Sequence, residues 1–405
     1  MMAGNQADGR TKHGAIKKLR GYDPYTRKHL KAIRFLESAA LFVTALYSDY
    51  RIARCFSLGG KLPFLIIILA LSLFSIWAQS NSRRNPKYTP LYHQRMLVSG
   101  IYTAFVIYHM CWLVVFDVLF TVIRAFGAPV SHSPFSAVAA ILAAVCVAVG
   151  YRNTKKIVYT PYTIKVRGLK EGERFRIVQL SDLHIGAIVG KKHMAKAVKM
   201  VNECGADAIA VTGDILNRGS IRECADIDEV GEILSGMRSV YGAYCIRGNH
   251  DPADDDPYYV DFIKKCGFTE IDNSFVTLGR VHLIGRTGVL TGQYDRVPLE
   301  ELMREAGAGH PTVVLDHDPK GITEAVRADA DLILSGHTHG GQFAPATLGE
   351  TAYYGKKFTY GYSRDGNTQS IVSSGVGFFQ IPVRLKTRNE IVVIDLVPLD
   401  QPSDK

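Results

Sequence analysis

The hydrophobic pattern of the 405-residue chain changes near residue 157. Before this point, apolar residues form long uninterrupted runs, and three runs approach or exceed the about 20 residues that cross a bilayer. Those runs are residues 62–79, 97–123 and 134–150. A further run at 33–50 is weaker because it contains Glu37 and Asp49, and an interfacial amphipathic helix is the alternative there. The pattern predicts an α-helical transmembrane region over residues 32–151, with about four spans.

After residue 157, short apolar runs of strand length alternate with amphipathic stretches of helix length. The pattern predicts strands at 175–180, 208–211, 242–246, 275–278, 281–284, 312–315, 332–334, 370–374 and 390–396. It predicts helices at 191–204, 223–237, 258–266, 299–306 and 323–327. A segment of this length supports one large core, so we expect a single α/β domain over residues 157–400. Mixed sheets with helices on their outer faces are its natural architecture.

Charge divides the chain at the same place. Residues 1–156 hold 20 Lys and Arg against 5 Asp and Glu, whereas the whole chain holds 48 against 38. The first part is therefore strongly basic and the second mildly acidic. A basic and apolar segment is typical of membrane attachment, and we expect the basic tail at residues 1–31 to lie on anionic lipid headgroups. No nucleic-acid partner is expected, because aromatic residues are not interleaved with the basic ones.

The distribution of Lys and Arg predicts the orientation in the membrane. With four spans and an inner N-terminus, the inner segments carry 18 basic residues and the outer segments 4, against 13 and 9 for three spans. The larger bias favours a multi-pass protein of the cell membrane whose residues after 150 are cytoplasmic. His109 and Asp117 lie at membrane depth, and a hydrogen bond between helices is the favoured interpretation over a transport pathway.

Polar residues follow five of the predicted strands, at the sheet edge where ligands bind in open α/β folds. The strings are Ser181-Asp182-Leu183-His184, Gly213-Asp214, Gly248-Asn249-His250-Asp251, Asp316-His317-Asp318-Pro319 and Gly336-His337-Thr338-His339-Gly340-Gly341. Each string alone is a weak signal, but five in succession predict that the side chains converge. Mixed carboxylate, amide and imidazole donors suit Mn, Fe or Zn better than Mg or Ca. Their number exceeds one tetrahedral site, which predicts two divalent metal ions.

These strings resemble those of the calcineurin-like metallophosphoesterases. The longer strings LSDLHIG, GNHD and GHTHGGQF are most similar to the membrane-attached, bacterial-type branch of that superfamily. The resemblance extends over roughly residues 157–397 and implies a four-layer α/β/β/α sandwich. One departure is Asn217, where the second motif of the family often has Asp in GDxxDR. The departure leaves Asp214 intact.

The resemblance also implies two metal sites that share Asp214. The implied ligands are Asp182, His184, Asp214 and His339 for one ion, and Asp214, Asn249, His317 and His337 for the other. His250 would lie beside the substrate phosphate, and Asp251 would orient it. Water shared by two ions has a pKa lowered from about 15.7 towards about 7, so a metal-bridging hydroxide can attack phosphorus in line.

The sequence therefore predicts a membrane-anchored phosphoesterase that hydrolyses phosphate ester or pyrophosphate bonds, and its location favours a lipid-linked substrate. Two alternatives remain open. One is a phosphoesterase of soluble nucleotides or phosphoproteins, and the other is a membrane sensor or scaffold with an inactive hydrolase fold. Four basic residues near the loops are candidates for phosphate or headgroup contacts, although an exposed solubilising charge is favoured for each: Arg218, Arg247, Arg286 and Lys320.

Overall fold

The computed structural model describes the chain in several stretches, namely residues 24–55, 58–82, 89–217, 222, 224, 226–252, 256–288 and 296–399. These residues form two compact units. The helical unit contains the described residues up to 155 together with 380–385, and the α/β unit contains 156–379 and 386–399. Most of the predicted basic tail lies outside the described residues, as does Arg218.

Four helices make up the helical unit, one for each predicted apolar run. They are α1 Pro24–Ala53, α2 Leu58–Ser82, α3 Pro90–Ala125 and α4 His132–Asn153. Helix α3 begins where the Thr89 hydroxyl accepts a hydrogen bond from the N–H of Tyr92, with Pro90 in the first turn. By length and composition, α3 and α4 each suffice to cross a membrane, and α2 contains the shorter apolar stretch Ile66–Ser75.

Ionisable side chains on different helices of this unit are paired with one another. The Arg51 guanidinium of α1 donates two hydrogen bonds, at 2.7 and 2.8 Å, to the Asp117 carboxylate of α3. Nδ1 of the buried His109 lies 2.7 Å from the hydroxyl of Ser48 on α1. His109 and Asp117 of α3 thus each make the hydrogen bond between helices that the sequence favours.

Two six-stranded sheets form the centre of the α/β unit. The first has the strand order β1-β12-β2-β3-β4-β5, and the second has the order β10-β11-β9-β8-β7-β6. The strands of the first sheet are β1 Ile157–Val166, β2 Phe175–Leu180, β3 Ala208–Val211, β4 Ala243–Cys245, β5 Phe268–Glu270 and β12 Asn389–Pro398. Those of the second are β6 Ser274–Leu278, β7 Val281–Gly285, β8 Thr312–Leu315, β9 Leu332–Ser335, β10 Gly361–Asp365 and β11 Thr368–Val372.

Parallel strands occupy the middle of both sheets. Strands β2 to β5 run parallel to one another, as do β7, β8, β9 and β11. Strand β12 is antiparallel to β2 and parallel to β1. The carboxyl ends of β2, β3 and β4 therefore share one edge of the first sheet, and those of β8 and β9 share one edge of the second.

Helices cover the outer face of each sheet. They are α5 Lys191–Asn202, α6 Ile227–Ser235, α7 Pro257–Lys265, α8 Leu299–Ala306 and α9 Ile322–Arg327. Two further helices, α10 Ala346–Tyr354 and α11 Lys356–Thr359, follow β9 in the chain. Buried residues of α5, α6 and α7 pack on the first sheet, and those of α8 and α9 pack on the second. A separate core joins the two sheets face to face. These layers confirm the predicted four-layer α/β/β/α sandwich.

Alternation along β2 explains how one strand serves two cores. Ile177 packs into the core between the sheets, whereas its neighbour Val178 packs under the outer helices. Full burial of such a side chain contributes roughly 1.5–3 kcal/mol to the free energy of unfolding.

The predicted elements differ from the structure in a few places. The helix predicted at 223–237 is the shorter α6, which ends at Ser235 because Gly236 caps it. Strands β1, β5 and β10 were not predicted from the sequence.

Candidate metal centre

Seven predicted ligands lie in loops that leave the carboxyl ends of five strands. Parallel strands of one sheet end at the same edge, so the loops after β2, β3 and β4 are neighbours, as are those after β8 and β9. Packing of the two sheets face to face brings the two sets of loops together. The loops follow β2 with Asp182 and His184, β3 with Asp214, β4 with Asn249, β8 with His317, and β9 with His337 and His339. Within the described residues, six of the seven form two candidate metal-binding groups.

The first group consists of Asp182, His184 and His339, all three of them buried. Nε2 of His184 lies 2.9 Å from Nε2 of His339 and 3.7 Å from Oδ1 of Asp182. Nε2 of His339 lies 3.4 Å from the same carboxylate oxygen. Two imidazole nitrogens and a carboxylate oxygen thus converge from separate loops. This donor set suits a divalent transition metal.

The second group consists of Asp214, His317 and His337. Nδ1 of His317 lies 2.8 Å from the carbonyl oxygen of Thr212, which can only accept, so Nδ1 carries a proton. Nε2 of His317 is buried 3.2 Å from Oδ2 of Asp214 and makes no hydrogen bond within the described residues. Nδ1 of His337 lies 2.6 Å from Oδ1 of Asn249. These donors fit a second divalent ion, with the backbone carbonyl orienting one ligand.

Asp214, a member of the second group, also lies beside the first. Its Oδ2 atom is 3.8 Å from Nε2 of His184 in the first group and 3.2 Å from Nε2 of His317 in the second. Its Oδ1 atom accepts a hydrogen bond of 2.8 Å from the backbone N–H of His250. The structure therefore brings one carboxylate within reach of both groups, the arrangement that a bridging ligand requires.

Burial and neighbouring charges shift the pKa values of the side chains at this centre in opposite directions. Burial raises the pKa of Asp182 to about 6, although the charge of His317 opposes the shift. Burial would also raise the pKa of Asp214, but the charges of His317, His250 and His184 together outweigh burial and lower that pKa well below its usual value. Burial would lower the pKa of His317, but the Asp214 and Asp182 carboxylates and the hydrogen bond to Thr212 together raise it to about 10. Buried carboxylates here depend on a neighbouring positive charge, which a divalent cation also supplies.

Strained backbone positions the donors. Five of the seven residues have positive φ in the left-handed region that favours glycine: Asp182 at 52°, His184 at 46°, Asp214 at 53°, His337 at 72° and His339 at 53°. Each such residue costs on the order of 1–3 kcal/mol, and it persists only where the surrounding structure determines it. This strain lies in three of the five loops, those after β2, β3 and β9, and its concentration there is typical of a functional site.

Glycines next to the donors permit the close packing of the loops. Gly213 has a φ of 89°, and a Cβ atom there would lie 2.7 Å from the backbone nitrogen of Gly248. A Cβ atom on Gly336 would lie 1.9 Å from Oγ of Ser181. A larger residue at either position would push the loops apart, so these glycines explain the GD and GH dipeptides of the sequence.

A sequence profile of the calcineurin-like phosphoesterases matches residues 175–341, the segment that contains both groups. Residues 175–341 are a calcineurin-like phosphoesterase domain. The superfamily predicted from the sequence is therefore confirmed. The matched segment begins at β2 and ends after β9, so this phosphoesterase domain carries all five of the donor-bearing loops.

Named relatives extend the similarity beyond the profile. An uncharacterized metallophosphoesterase of Helicobacter pylori is 28% identical over 239 residues, which cover 57% of this chain and 62% of the relative. The metallophosphoesterase YkuE of Bacillus subtilis is 28% identical over 255 residues, covering 61% of this chain and 87% of YkuE. A transmembrane protein with metallophosphoesterase domain from Danio rerio is 30% identical over 237 residues, covering 55% and 53%. The chain thus spans about three fifths of the first of these relatives and half of the last.

The two predicted catalytic residues of the phosphoesterase domain differ in their surroundings. The ring of His250 lies against the rings of His184 and Phe379, with centroid distances of 5.3 and 4.5 Å. The buried Asp251 carboxylate accepts hydrogen bonds from three backbone N–H groups, those of Ile215, Leu216 and Gly248. Burial and the charge of Asp214 raise the pKa of Asp251 to about 7. Asp251 therefore joins the loops after β3 and β4.

Phe379 and Gln342 are neighbours of the centre that the sequence analysis did not single out. The Gln342 amide accepts a hydrogen bond of 2.8 Å from the N–H of Phe379 and donates one of 3.2 Å to its carbonyl oxygen. These bonds hold the Phe379 ring beside His250. Gln342 belongs to the GHTHGGQF string, but no spacing rule connects it with a residue 37 positions away.

The expectation of exposed charge is wrong for two of the basic residues near the loops. Arg247 is buried and paired with Glu270 at 3.0 Å, and Arg286 is buried and paired with Glu324 at 2.7 Å. Arg247 follows β4 and Arg286 follows β7, and each acidic partner offsets part of the free-energy cost of burying the guanidinium group. Lys320 is exposed and donates a hydrogen bond to the Tyr353 hydroxyl.

Proposed function

We propose that this protein is a membrane-anchored, metal-dependent phosphoesterase that hydrolyses phosphate ester or pyrophosphate bonds. The observation that carries the proposal is that two groups of carboxylate and imidazole side chains lie next to each other. Asp214 belongs to the second group and lies within 3.8 Å of the first. The match of residues 175–341 to the calcineurin-like phosphoesterases supports the reaction class. The relatives named as metallophosphoesterases support it as well.

The ligand assignment follows the two groups. One ion would be held by Asp182, His184, Asp214 and His339, and the other by Asp214, Asn249, His317 and His337. When bound, a pair of divalent ions lowers the pKa of a coordinated water towards neutrality and stabilises charge on a transferring phosphoryl group. The mixed nitrogen and oxygen donors favour Mn, Fe or Zn.

The chain's own residues would orient the substrate and move the proton. The backbone N–H of His250 is bonded to Asp214, so the His250 ring is carried at the edge of the centre. Phe379 packs against that ring and restricts its rotation. We assign His250 as the residue that contacts the substrate phosphate and donates a proton to the leaving oxygen. Asp251 acts on His250 indirectly, by holding the loop from which it projects.

The helical unit supports anchoring in a membrane. Helices α3 and α4 are sufficiently apolar and long to cross, and the relative from Danio rerio is named a transmembrane protein. Helix α1 carries Asp49 and Arg51, which would oppose insertion if their side chains were unpaired. Arg51 is paired with Asp117, and Asp49 accepts hydrogen bonds from Ser72 and Tyr102.

This pairing supports insertion of all four helices, with the α/β unit in the cytoplasm. The same orientation gives 18 basic residues inside and 4 outside. A phosphoesterase held at a bilayer meets lipid-linked phosphate esters at high local concentration. We therefore propose a lipid-linked substrate, and soluble nucleotides or phosphoproteins are the competing class.

The test uses the full chain in detergent micelles. Hydrolysis of bis(p-nitrophenyl) phosphate and p-nitrophenyl phosphate is measured with Mn²⁺, after chelation with EDTA, and for Asp214→Asn. We expect activity with Mn²⁺ that both EDTA and the substitution abolish. Activity that survives either treatment contradicts the proposal. A protein that binds two ions but hydrolyses neither ester favours a sensor or scaffold instead.

The substrate class is tested with the same preparation. Release of phosphate from a lipid pyrophosphate in mixed micelles is compared with release from nucleoside diphosphates at equal concentration. We expect a higher kcat/KM for the lipid. A higher value for the nucleotides would assign the protein to the soluble class.

A further inference from the structure

A cavity of about 470 Å³ lies in the α/β unit beside the loop that carries His339. Gly340, the next residue in the chain, forms part of its wall. The remaining wall comes from β1, from helices α10 and α11, and from the residues that lead into β12. The cavity therefore adjoins a proposed metal ligand without containing any of the seven donors.

Three basic side chains line this cavity: Lys356, Lys386 and Arg388. All three are exposed, and none makes an ion pair or hydrogen bond with another described residue. Elsewhere in the α/β unit, basic side chains such as Arg176 and Arg247 have acidic partners. Three uncompensated positive charges around one concave surface attract an anion.

The cavity also contains one carboxylate, that of Glu390. It is buried and accepts hydrogen bonds from the Thr160 and Tyr360 hydroxyls on one oxygen. The Ser373 hydroxyl and the Ser374 N–H bond to the other oxygen. Since four neutral donors satisfy Glu390, it does not compete for the basic side chains, and the lining keeps an excess of positive charge.

Lys386 adopts a backbone conformation that favours glycine. Its φ is 78°, and the residue forms a bridge with Phe343, which directly follows the GHTHGGQ segment. A lysine in this region is strained, so the fold alone would be more stable with glycine there. The presence of a long cationic side chain at a strained position beside a cavity indicates a role for its charge.

We propose that this cavity binds a second anionic group of the substrate, a phosphate or a group of similar charge, while the scissile phosphate lies at the metal centre. The inference rests on the proposed function, because it assigns the second group to the same substrate. The favoured substrates would carry two phosphate groups. The second phosphate can come from a lipid headgroup or from a soluble phosphate compound.

Two matched esters test the proposal. Thymidine 5′-(p-nitrophenyl phosphate) is compared with the same compound carrying a 3′-phosphate, using the full chain loaded with Mn²⁺. We expect Lys386→Ala/Arg388→Ala to raise KM for the 3′-phosphorylated ester by about 10-fold or more, because charge-assisted bonds are lost. KM for the other ester and both kcat values should stay unchanged. An equal change in the two KM values overturns the proposal.

Two further variants separate binding from folding. Lys386→Gly should weaken binding of the 3′-phosphorylated ester while the melting temperature stays equal or rises, because the strain is relieved. A lower melting temperature would contradict the strain argument. Lys264→Ala is the matched control, since this exposed lysine lies on α7, which packs against β5 at the opposite edge of the sheet from β1. Its KM values should equal those of the unmodified protein.

Inhibition distinguishes the two sources of the second phosphate. Phosphatidic acid in mixed micelles and glycerol 3-phosphate are compared at equal phosphate concentration. A lower inhibition constant for phosphatidic acid assigns the cavity to a lipid headgroup, and equal constants assign it to free phosphate.

If neither ester is hydrolysed, the proposed function fails. The cavity is then tested by calorimetric titration of inorganic phosphate into the metal-free protein. Binding that Lys386→Ala/Arg388→Ala weakens supports an anion site, and equal binding overturns it.

Discussion

The Nε2 atoms of His184 and His339 lie 2.9 Å apart, although 155 positions separate the two residues in the chain. Two imidazole lone pairs at this distance repel each other unless a proton or a cation lies between them. The nearby Asp182 carboxylate adds negative charge at the same point. A divalent cation bound here would attract both lone pairs and balance the negative charge of Asp182. This is the physical reason for assigning the group to a metal.

Removal of one of these ligands should change the metal content. We expect His339→Ala to lower bound metal from about two ions per chain to about one. It should also reduce kcat/KM by more than about 100-fold, because loss of a residue that only hydrogen-bonds to a metal ligand already costs up to about 100-fold. Metal is measured by inductively coupled plasma mass spectrometry. His310→Ala is the control, because His310 precedes β8 at the end away from the centre. An unchanged metal content for His339→Ala would refute the assignment.

Asp251 should contribute to local stability. Its carboxylate accepts from the N–H groups of Ile215, Leu216 and Gly248, and an asparagine cannot satisfy all three. We expect Asp251→Asn to lower the free energy of local opening by about 1–3 kcal/mol, the cost of an unsatisfied buried donor. Hydrogen exchange mass spectrometry of these loops measures the change. Asp261 is an exposed residue of α7, and the control substitution Asp261→Asn should leave the exchange of these loops unaltered. Unaltered exchange in Asp251→Asn would show that the three hydrogen bonds do not stabilise the loops.

The Arg51–Asp117 pair should couple α1 to α3. We expect a double-mutant cycle of Arg51→Met and Asp117→Leu to give a coupling energy of about 1–2 kcal/mol, as for polar pairs between membrane helices. Both tryptophans of the chain, Trp77 and Trp112, lie in the helical unit, so fluorescence during thermal unfolding in detergent reports this unit. Arg54→Met serves as control. Additive effects of the two substitutions would show that α1 and α3 are held by other contacts.

The Arg176–Asp395 pair should make the stability of the first sheet depend on pH. Arg176 donates two hydrogen bonds of 2.7 Å to Asp395, which lowers the pKa of that carboxyl. In the unfolded chain this pKa is about 3.9. Because the folded-state pKa is lower, the pair stabilises the fold above about pH 4, and the contribution is lost as the pH falls through the folded-state pKa.

The corresponding variant is Asp395→Asn. At neutral pH it should lower the free energy of unfolding by about 1 kcal/mol, and this difference should shrink as the pH is lowered from about 5 to 3. Urea unfolding followed by circular dichroism measures both values, with Asp261→Asn as the control. A difference that stays constant across this pH range would mean that the charge of Asp395 is not involved.

Mixed sheets with helices on their outer faces could be predicted from the sequence because its strands are apolar and the helices between them are amphipathic. The number of layers was implied by the family resemblance. Strands such as Ala208–Val211 are buried at every position and stand out from their surroundings. Strand Gly361–Asp365 could not be found this way, because it is an edge strand with mostly exposed positions and no apolar alternation. Strand Ile157–Val166 contains Pro161, which is tolerated only because the strand lies at the sheet edge.

The convergence of the donor residues within each sheet could be predicted because polar residues at the ends of parallel strands share one edge of that sheet. The contacts of Asp251 and Phe379 could not, since they depend on how loops from different strands face each other. No periodicity in the chain reports that a carboxylate will meet three amide groups. The burial of Arg247 was missed for a similar reason, because its partner Glu270 lies on the neighbouring strand β5.

Strand β12 has a consequence for how the protein is made. It lies between β1 and β2, so β1 pairs with β12 and with no other described strand of the first sheet. The ribosome synthesises β1 before every other strand and β12 after them, which leaves β1 waiting for roughly 10–50 s at 5–20 residues per second. During that interval its open edge is exposed to other nascent chains. The pace of translation downstream of β1 therefore sets how long the chain needs protection by chaperones.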